Sequence, residues 1–184
     1  MKKVAILLAN GYEESETLTI VDILRRAEII CDMFSTGDLM ITGSHNITVL
    51  ADKLINDEIQ HYDMIVFPGG LPGATNLASD ERVLDLVKYF NQEHKLIAAI
   101  CAGPLVLAAA DIIKERTITA YPGYDQKVGA CNFKEDNVVV DDNIITSRGP
   151  ATTYAFAYKL VDVLGFDSED VKQRMVYRNA FDAE

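Results

Sequence analysis

Apolar and polar residues follow two rhythms along this chain. Short, nearly continuous apolar runs rich in strand formers occur at KKVAILLA, IICDMFST, YDMIVFPGG and LIAAI, and again at TITAY, NVVVDD and NIITS. Between them lie stretches with apolar residues at helical spacing: TLTIVDILRRA, SDERVLDLVKYFNQEHK, GPLVLAAA and PATTYAFAYKLVDVLG. Charge marks the helix ends. The acids of NGYEESE open the first helix and Arg25 and Arg26 close it, each sign complementing the helix dipole. From Leu39 to Leu50, strand formers mixed with GSHN predict a hairpin or an excursion, and SEDVKQRMVYRNAF predicts a terminal helix packed on the domain or on a second subunit. Alternation of strands and helices predicts an α/β sandwich around a mainly parallel sheet. No repeat, low-complexity tract or long linker divides the chain, so residues 1–184 are expected to form a single domain.

In open α/β sheets, ligands bind beyond the carboxyl ends of the strands. The residues there are NGYEESE, PGGLPGA, Cys101, YPGY and SRGPAT. Cys101 falls where LIAAI ends and a helix begins, near free backbone N–H groups and a positive helix end, both of which favour thiolate. The competing reading is a small buried hydrophobe, since free cysteine is often fully buried. Cys31, inside an apolar strand, and Cys131, in a loop, have no activating neighbour in sequence. Among the acids, Glu16 shares a helical face with Ile20, Ile23 and Ala27, while Glu14 aligns with Leu18 and Val21. Either could turn toward the sheet, where burial would raise its pKa and make it an acid or base for the thiol. Gly69 and Gly70 allow close backbone approach and can turn N–H groups toward an oxyanion, although an ordinary tight turn needs the same residues.

Composition narrows the partners. With 17 Lys and Arg against 28 acids, the net charge of -11 leaves no basic footprint for nucleic acid. The N-terminal apolar run is too short to span a membrane and lacks a signal-peptide cleavage pattern, so a cytoplasmic protein is expected. Three widely spaced cysteines with no CxxC pair predict free thiols and no zinc site. PGGLPGA matches neither a P-loop nor GxGxxG, and His45, His61 and His94 read as surface residues without an HExxH-type partner, so no metal ligand set is expected.

Taken together, GYEESET, DILRRA, VFPGG, AAICAGP and TSRGPAT resemble the ThiJ/PfpI superfamily, in the branch of the parkinsonism-associated deglycase and its bacterial relatives, over nearly the whole chain. The resemblance implies a flavodoxin-like three-layer sandwich, a homodimer, and no cofactor or metal. It implies that Cys101 is a nucleophile in a strained strand-to-helix elbow and that Glu16 is its proton shuttle. Gly69, Gly70 and the Ala102 N–H would form the oxyanion pocket, with Glu13, Arg26, Tyr121, Arg148 and Pro150 lining or supporting it near the dimer interface. Two positions depart from the family: Tyr121 replaces a common histidine, shifting acid–base work onto Glu16, and His45 replaces a common anion-binding arginine. The implied activity is glyoxalase or deglycase chemistry on methylglyoxal, glyoxal or their early adducts. Alternatives are an oxidative-stress sensor whose Cys101 becomes sulfinate, and a protease or amidase. No residue argues for a thiazole or phosphate substrate.

Overall fold

The computed structural model describes residues 1–181. In chain order the elements are β1 (Lys3–Leu8), α1 (Glu14–Arg26), β2 (Ile30–Ser35), β3 (Met40–Thr42), β4 (Thr48–Leu50), β5 (Lys53–Leu54), β6 (Met64–Phe67), α2 (Gly73–Ala78), α3 (Glu81–Gln92) and β7 (Leu96–Ile100). They continue as α4 (Pro104–Ala109), β8 (Thr117–Ile118), α5 (Asp125–Val128), β9 (Asn132–Phe133), β10 (Val138–Asp141), β11 (Ile144–Ser147), α6 (Thr153–Val163), α7 (Glu169–Arg174) and α8 (Tyr177–Phe181). Seven strands form one sheet in the order β10-β11-β7-β6-β1-β2-β5, parallel throughout except for β10, which runs antiparallel to β11. This is the expected α/β architecture with a mainly parallel sheet, flavodoxin-like in its central strand order.

Because both faces of the sheet are covered, strand side chains at odd and even positions enter different cores. On one face, Val4, Ile6 and Leu8 of β1 pack with Ile20, Ile23 and Leu24 of α1 and with Phe156, Ala157 and Leu160 of α6. On the other, Ala5 and Leu7 meet Val83, Val87 and Phe90 of α3 and Val106 and Leu107 of α4. That two-sided burial is why the strands read as unbroken apolar runs.

The segment after Leu39 is the β3–β4 hairpin, with Met40 opposite Leu50 and Thr42 opposite Thr48. The expected terminal helix is instead two short ones, α7 and α8, separated at Val176, whose φ of 58° breaks the helix. TITAY contributes only the two-residue β8, which pairs with β9 in a separate small sheet. Among the described residues, no helix is long and apolar enough to cross a membrane.

Candidate active site

Four neighbouring strands, β1, β6, β7 and β11, deliver their carboxyl ends to one edge of the sheet, and Cys101 is the first residue beyond β7. Its φ is 62°, in the left-handed region that a side chain with a Cβ disfavours. Main-chain bonds to both sides hold it there. The Cys101 N–H donates to the Ser147 carbonyl at 3.1 Å, and the Cys101 carbonyl accepts from the Tyr121 N–H at 3.0 Å. The Gly103 N–H turns back to the Ile100 carbonyl at 2.8 Å, closing the elbow before α4.

Gly69 and Gly70 form the facing wall. A Cβ on Gly69 would lie 2.6 Å from Cys101 Cβ and 2.8 Å from its sulfur, so the chain can approach the thiol only as glycine. Gly70 has φ 86°, and a Cβ there would lie 2.4 Å from the Glu13 nitrogen. The N–H groups of Ala102 and Gly70 are directed at the Cys101 sulfur and favour its anion.

α1 supplies the acid. Glu13 caps the helix, its carboxylate accepting the Glu16 N–H at 2.6 Å, and its own N–H bonds the Gly69 carbonyl at 2.9 Å. One turn into the helix, Glu16 is 0% exposed. Its Oε2 accepts the Gly69 N–H at 2.7 Å, while its Oε1 is buried without a conventional hydrogen-bond partner. Burial pushes the Glu16 pKa up to about 7; the nearby Glu13 charge adds to this, and the bonds from Gly69 and Cys101 oppose it. Burial also pushes the Cys101 thiol well above its ordinary range, and the Glu16 charge reinforces the rise, overcoming the pull of the Ala102 and Gly70 N–H groups. Burial of the sulfur thus opposes the thiolate that the position of Cys101 at a helix start favours.

Helical periodicity left Glu14 and Glu16 equivalent, and the structure buries both for different purposes. Glu14, 4% exposed, turns away from the thiol into the hairpin loop, accepting the N–H of His45 at 2.6 Å and of Ile47 at 3.4 Å and the Ser44 hydroxyl at 3.2 Å. Burial raises its pKa, but the bonds from His45 and Ile47 outweigh that and bring it down to about 2. The His45 ring is exposed and lies 3.0 Å from Glu14. Glu13, Glu14 and His45 have possible donor atoms within 4.8 Å of one another, but the N–H and hydroxyl donors already occupying Glu14 explain the cluster as an anchor for the loop. His61 and His94 are exposed, as expected, Cys31 is buried, and Cys131 is half-buried.

Tyr121, Arg148 and Pro150 meet at an adjoining cavity of about 270 Å³. Arg148 donates to the Glu135 carbonyl at 3.1 Å. Arg26 is not brought to this site: it ends α1, ten residues or about 15 Å along the helix from Glu16, where it pairs with Asp22 at 2.8 Å. The sequence reading missed Ser147, whose carbonyl braces the elbow, although TSRGPAT contained it. It also missed Gly103, where a Cβ would lie 2.3 Å from the Phe67 carbonyl; the glycine two residues after Cys101 was the available signal.

Comparison with known proteins gives consistent matches. The model of the DJ-1/PfpI family matches residues 2–163. The chain is 37% identical over 169 residues to the Parkinson disease protein 7 homolog of Danio rerio, covering 89% of each chain. It is 34% identical over 166 residues to the glutathione-independent glyoxalase DJR-1.2 of Caenorhabditis elegans, again covering 89% of each. The crystal structure of Drosophila melanogaster DJ-1beta superposes with a TM-score of 0.90 at 33% identity, over 95% of this chain and 97% of that one. The oxidized DJ-1 of Toxoplasma gondii also has a TM-score of 0.90, at 32% identity over 96% and 98%.

Proposed function

The chain belongs to the DJ-1/PfpI family, and on that premise we propose that it is a cysteine-dependent glyoxalase or deglycase. Its substrates are methylglyoxal, glyoxal or their early adducts, with Cys101 as nucleophile and Glu16 as proton shuttle. The observation that carries this reading is the full burial of Glu16 beside the sulfur, where it is bonded by the Gly69 N–H and the Cys101 thiol. A charged oxygen in that position is costly, whereas a protonated one has an O–H to give. The Cys101–Glu16 pair thus takes up one negative charge as pH rises through about 7.

The chemistry follows from that shared proton. The sulfur adds to the aldehyde carbon, and Glu16 gives its proton to the new alkoxide, leaving a hemithioacetal and a carboxylate. Glu16 then removes the proton from the former aldehyde carbon and returns it to the adjacent keto carbon, while the hydroxyl proton passes from the first oxygen to the second, producing a 2-hydroxy thioester. Water cleaves the thioester, releasing the hydroxy acid and the thiol; methylglyoxal gives lactate. The N–H groups of Ala102 and Gly70 stabilise the enediolate oxygen between the two proton transfers. The relative named as a glutathione-independent glyoxalase supports this reading.

A second reading is a redox sensor in which peroxide oxidises Cys101 to sulfinate, stabilised by protonated Glu16 and the same N–H groups. The half-buried sulfur and an oxidized relative favour it. Protease or amidase activity ranks below both, because the position of the common histidine holds Tyr121 and the three histidines are exposed elsewhere. The expected homodimer is proposed to form on the hairpin side, where Met40, Ile47 and Leu50 are exposed.

The deciding experiment measures lactate from methylglyoxal, without glutathione or added metal, for wild type and Cys101→Ser. Turnover lost in the variant is the expected result. No turnover by wild type, with rapid peroxide oxidation of Cys101, would replace the enzyme by the sensor.

A further inference from the structure

The N–H groups of Ala102 and Gly70 favour an anion at Cys101, and both are backed by one small cluster of buried side chains: Ala74, Ala102, Ala120 and Tyr124. Ala102 belongs to the cluster itself. Gly70 is joined to it through the main chain, where its carbonyl accepts the Ala74 N–H at 2.9 Å. Of the four, Tyr124 is the large member, 8% exposed, and the others are alanines from α2, the elbow and the segment after β8. Leu105 of α4 and Phe133 of β9 pack against the group from outside.

The chain brings Tyr124 here by a turn that its sequence specifies. In Tyr121-Pro122-Gly123-Tyr124, proline sets φ at the second position and Gly123 takes φ 80° at the third, the pattern of a type II turn. The Tyr124 N–H closes it on the Tyr121 carbonyl at 3.0 Å. The first residue of the turn is bonded to the elbow, its N–H meeting the Cys101 carbonyl at 3.0 Å. The last opens α5, its carbonyl accepting the N–H groups of Lys127 and Val128, each at 2.9 Å. The Tyr124 ring is steadied by the edge of Tyr121, with centroids 6.0 Å apart, and by the Lys127 ammonium, 4.2 Å from its centroid. Burial raises the pKa of its hydroxyl and the Cys101 charge adds to the rise, so the phenol is uncharged at neutral pH.

We propose that Tyr124 is a positioning residue: its ring, acting through Ala102 and Ala74, keeps the Ala102 and Gly70 N–H groups trained on the Cys101 sulfur. The proposal rests on the reading of Cys101 as a nucleophile and says what holds its anion-stabilising donors in place. Removing the ring opens a void behind both donors. Drift into that void lengthens two hydrogen bonds to a charged sulfur, and such bonds weaken steeply as their geometry degrades. The titrating groups that act on the sulfur are Glu16 on α1, with Glu13 beside it, and Tyr124; replacing Tyr124 by phenylalanine or alanine adds no charge among them.

The test follows alkylation of Cys101 by iodoacetamide against pH, read by mass spectrometry on the peptide that carries Cys101 and normalised to free glutathione. In wild type and Tyr124→Phe the rise in rate should share one midpoint. In Tyr124→Ala the midpoint should move up by about one pH unit, a roughly tenfold slower rate below it, because the anion is held less closely by its donors. Circular dichroism checks that each variant is folded; where Tyr124→Ala is not, Tyr124→Leu, which lacks the flat ring, is held to the same criterion. A role in packing alone lowers urea stability and leaves the midpoint where it was, and that result overturns the proposal. An equal shift in Tyr124→Phe also overturns it, since the hydroxyl and not the ring would then be responsible. Alkylation needs no carbonyl turnover, so the two readings fail separately. A shifted midpoint, with no lactate formed from methylglyoxal by wild type, upholds the positioning role and removes the glyoxalase. Lactate formation with an unmoved midpoint keeps the glyoxalase and removes the positioning role.

Discussion

Glu16→Gln keeps the shape of a fully buried side chain and removes its titration, so the pH dependence of its effect measures the burial of the charge. In the folded protein the Glu16 pKa is raised from an ordinary 4.5 to about 7. A raised acid binds its proton more tightly when folded, so its contribution is fully present below pH 4.5 and is lost as pH rises through about 7. At about 1.4 kcal/mol for each tenfold change in proton affinity, this rise corresponds to ~3 kcal/mol, a large share of the 5–15 kcal/mol typical of a domain, roughly speaking. The chain has no tryptophan and 8 tyrosines, so urea unfolding is best followed by circular dichroism with tyrosine fluorescence as a second probe. Protomer concentration must be fixed, since association would add to apparent stability. Between pH 4.5 and pH 8.5, the stability of Glu16→Gln relative to wild type should grow by about 3 kcal/mol in favour of glutamine. A difference constant to within about 0.5 kcal/mol would refute the claim that the Cys101–Glu16 pair acquires a buried charge in that range.

Two further outcomes follow from the same geometry. Gly69→Ala places a Cβ 2.6 Å from Cys101 Cβ and 2.9 Å from the Ala102 nitrogen, so elbow and wall must separate. We expect about 1–3 kcal/mol of destabilisation and at least a roughly tenfold slower alkylation of Cys101; an unchanged alkylation rate would show that the wall is not in register with the thiol. Sedimentation at micromolar concentration should give twice 20.3 kDa, and a species of only 20.3 kDa would sink the proposed dimer.

The strands and longer helices were legible because two-sided burial leaves unbroken apolar runs and one-sided burial leaves a helical stripe. Cys101 was legible as a junction residue, but its left-handed backbone was not: φ is fixed by Ser147 and Tyr121, partners distant in sequence. Periodicity could not separate Glu14 from Glu16, because α1 buries two sides of its first turn, one against the glycine wall and one against the hairpin loop. The six-residue α2 and two-residue β5 carry too few positions for a period to register. The interruption at Val176 was hidden because Val171 and Met175 keep helical spacing up to it.

The elbow that carries Cys101 is secured by main-chain groups alone: its own N–H and C=O, the Ser147 carbonyl and the Tyr121 N–H. None of these bonds involves the sulfur. The strained conformation is therefore a property of the socket and not of its tenant. The chemistry at this position can be exchanged, for instance for asparagine or aspartate, which tolerate positive φ, without disturbing the hydrogen bonds that define it. In such an arrangement foldability and reactivity are inherited separately. A lineage carrying this fold can lose or change its reaction in one substitution and still keep the mounting on which the next reaction can be built.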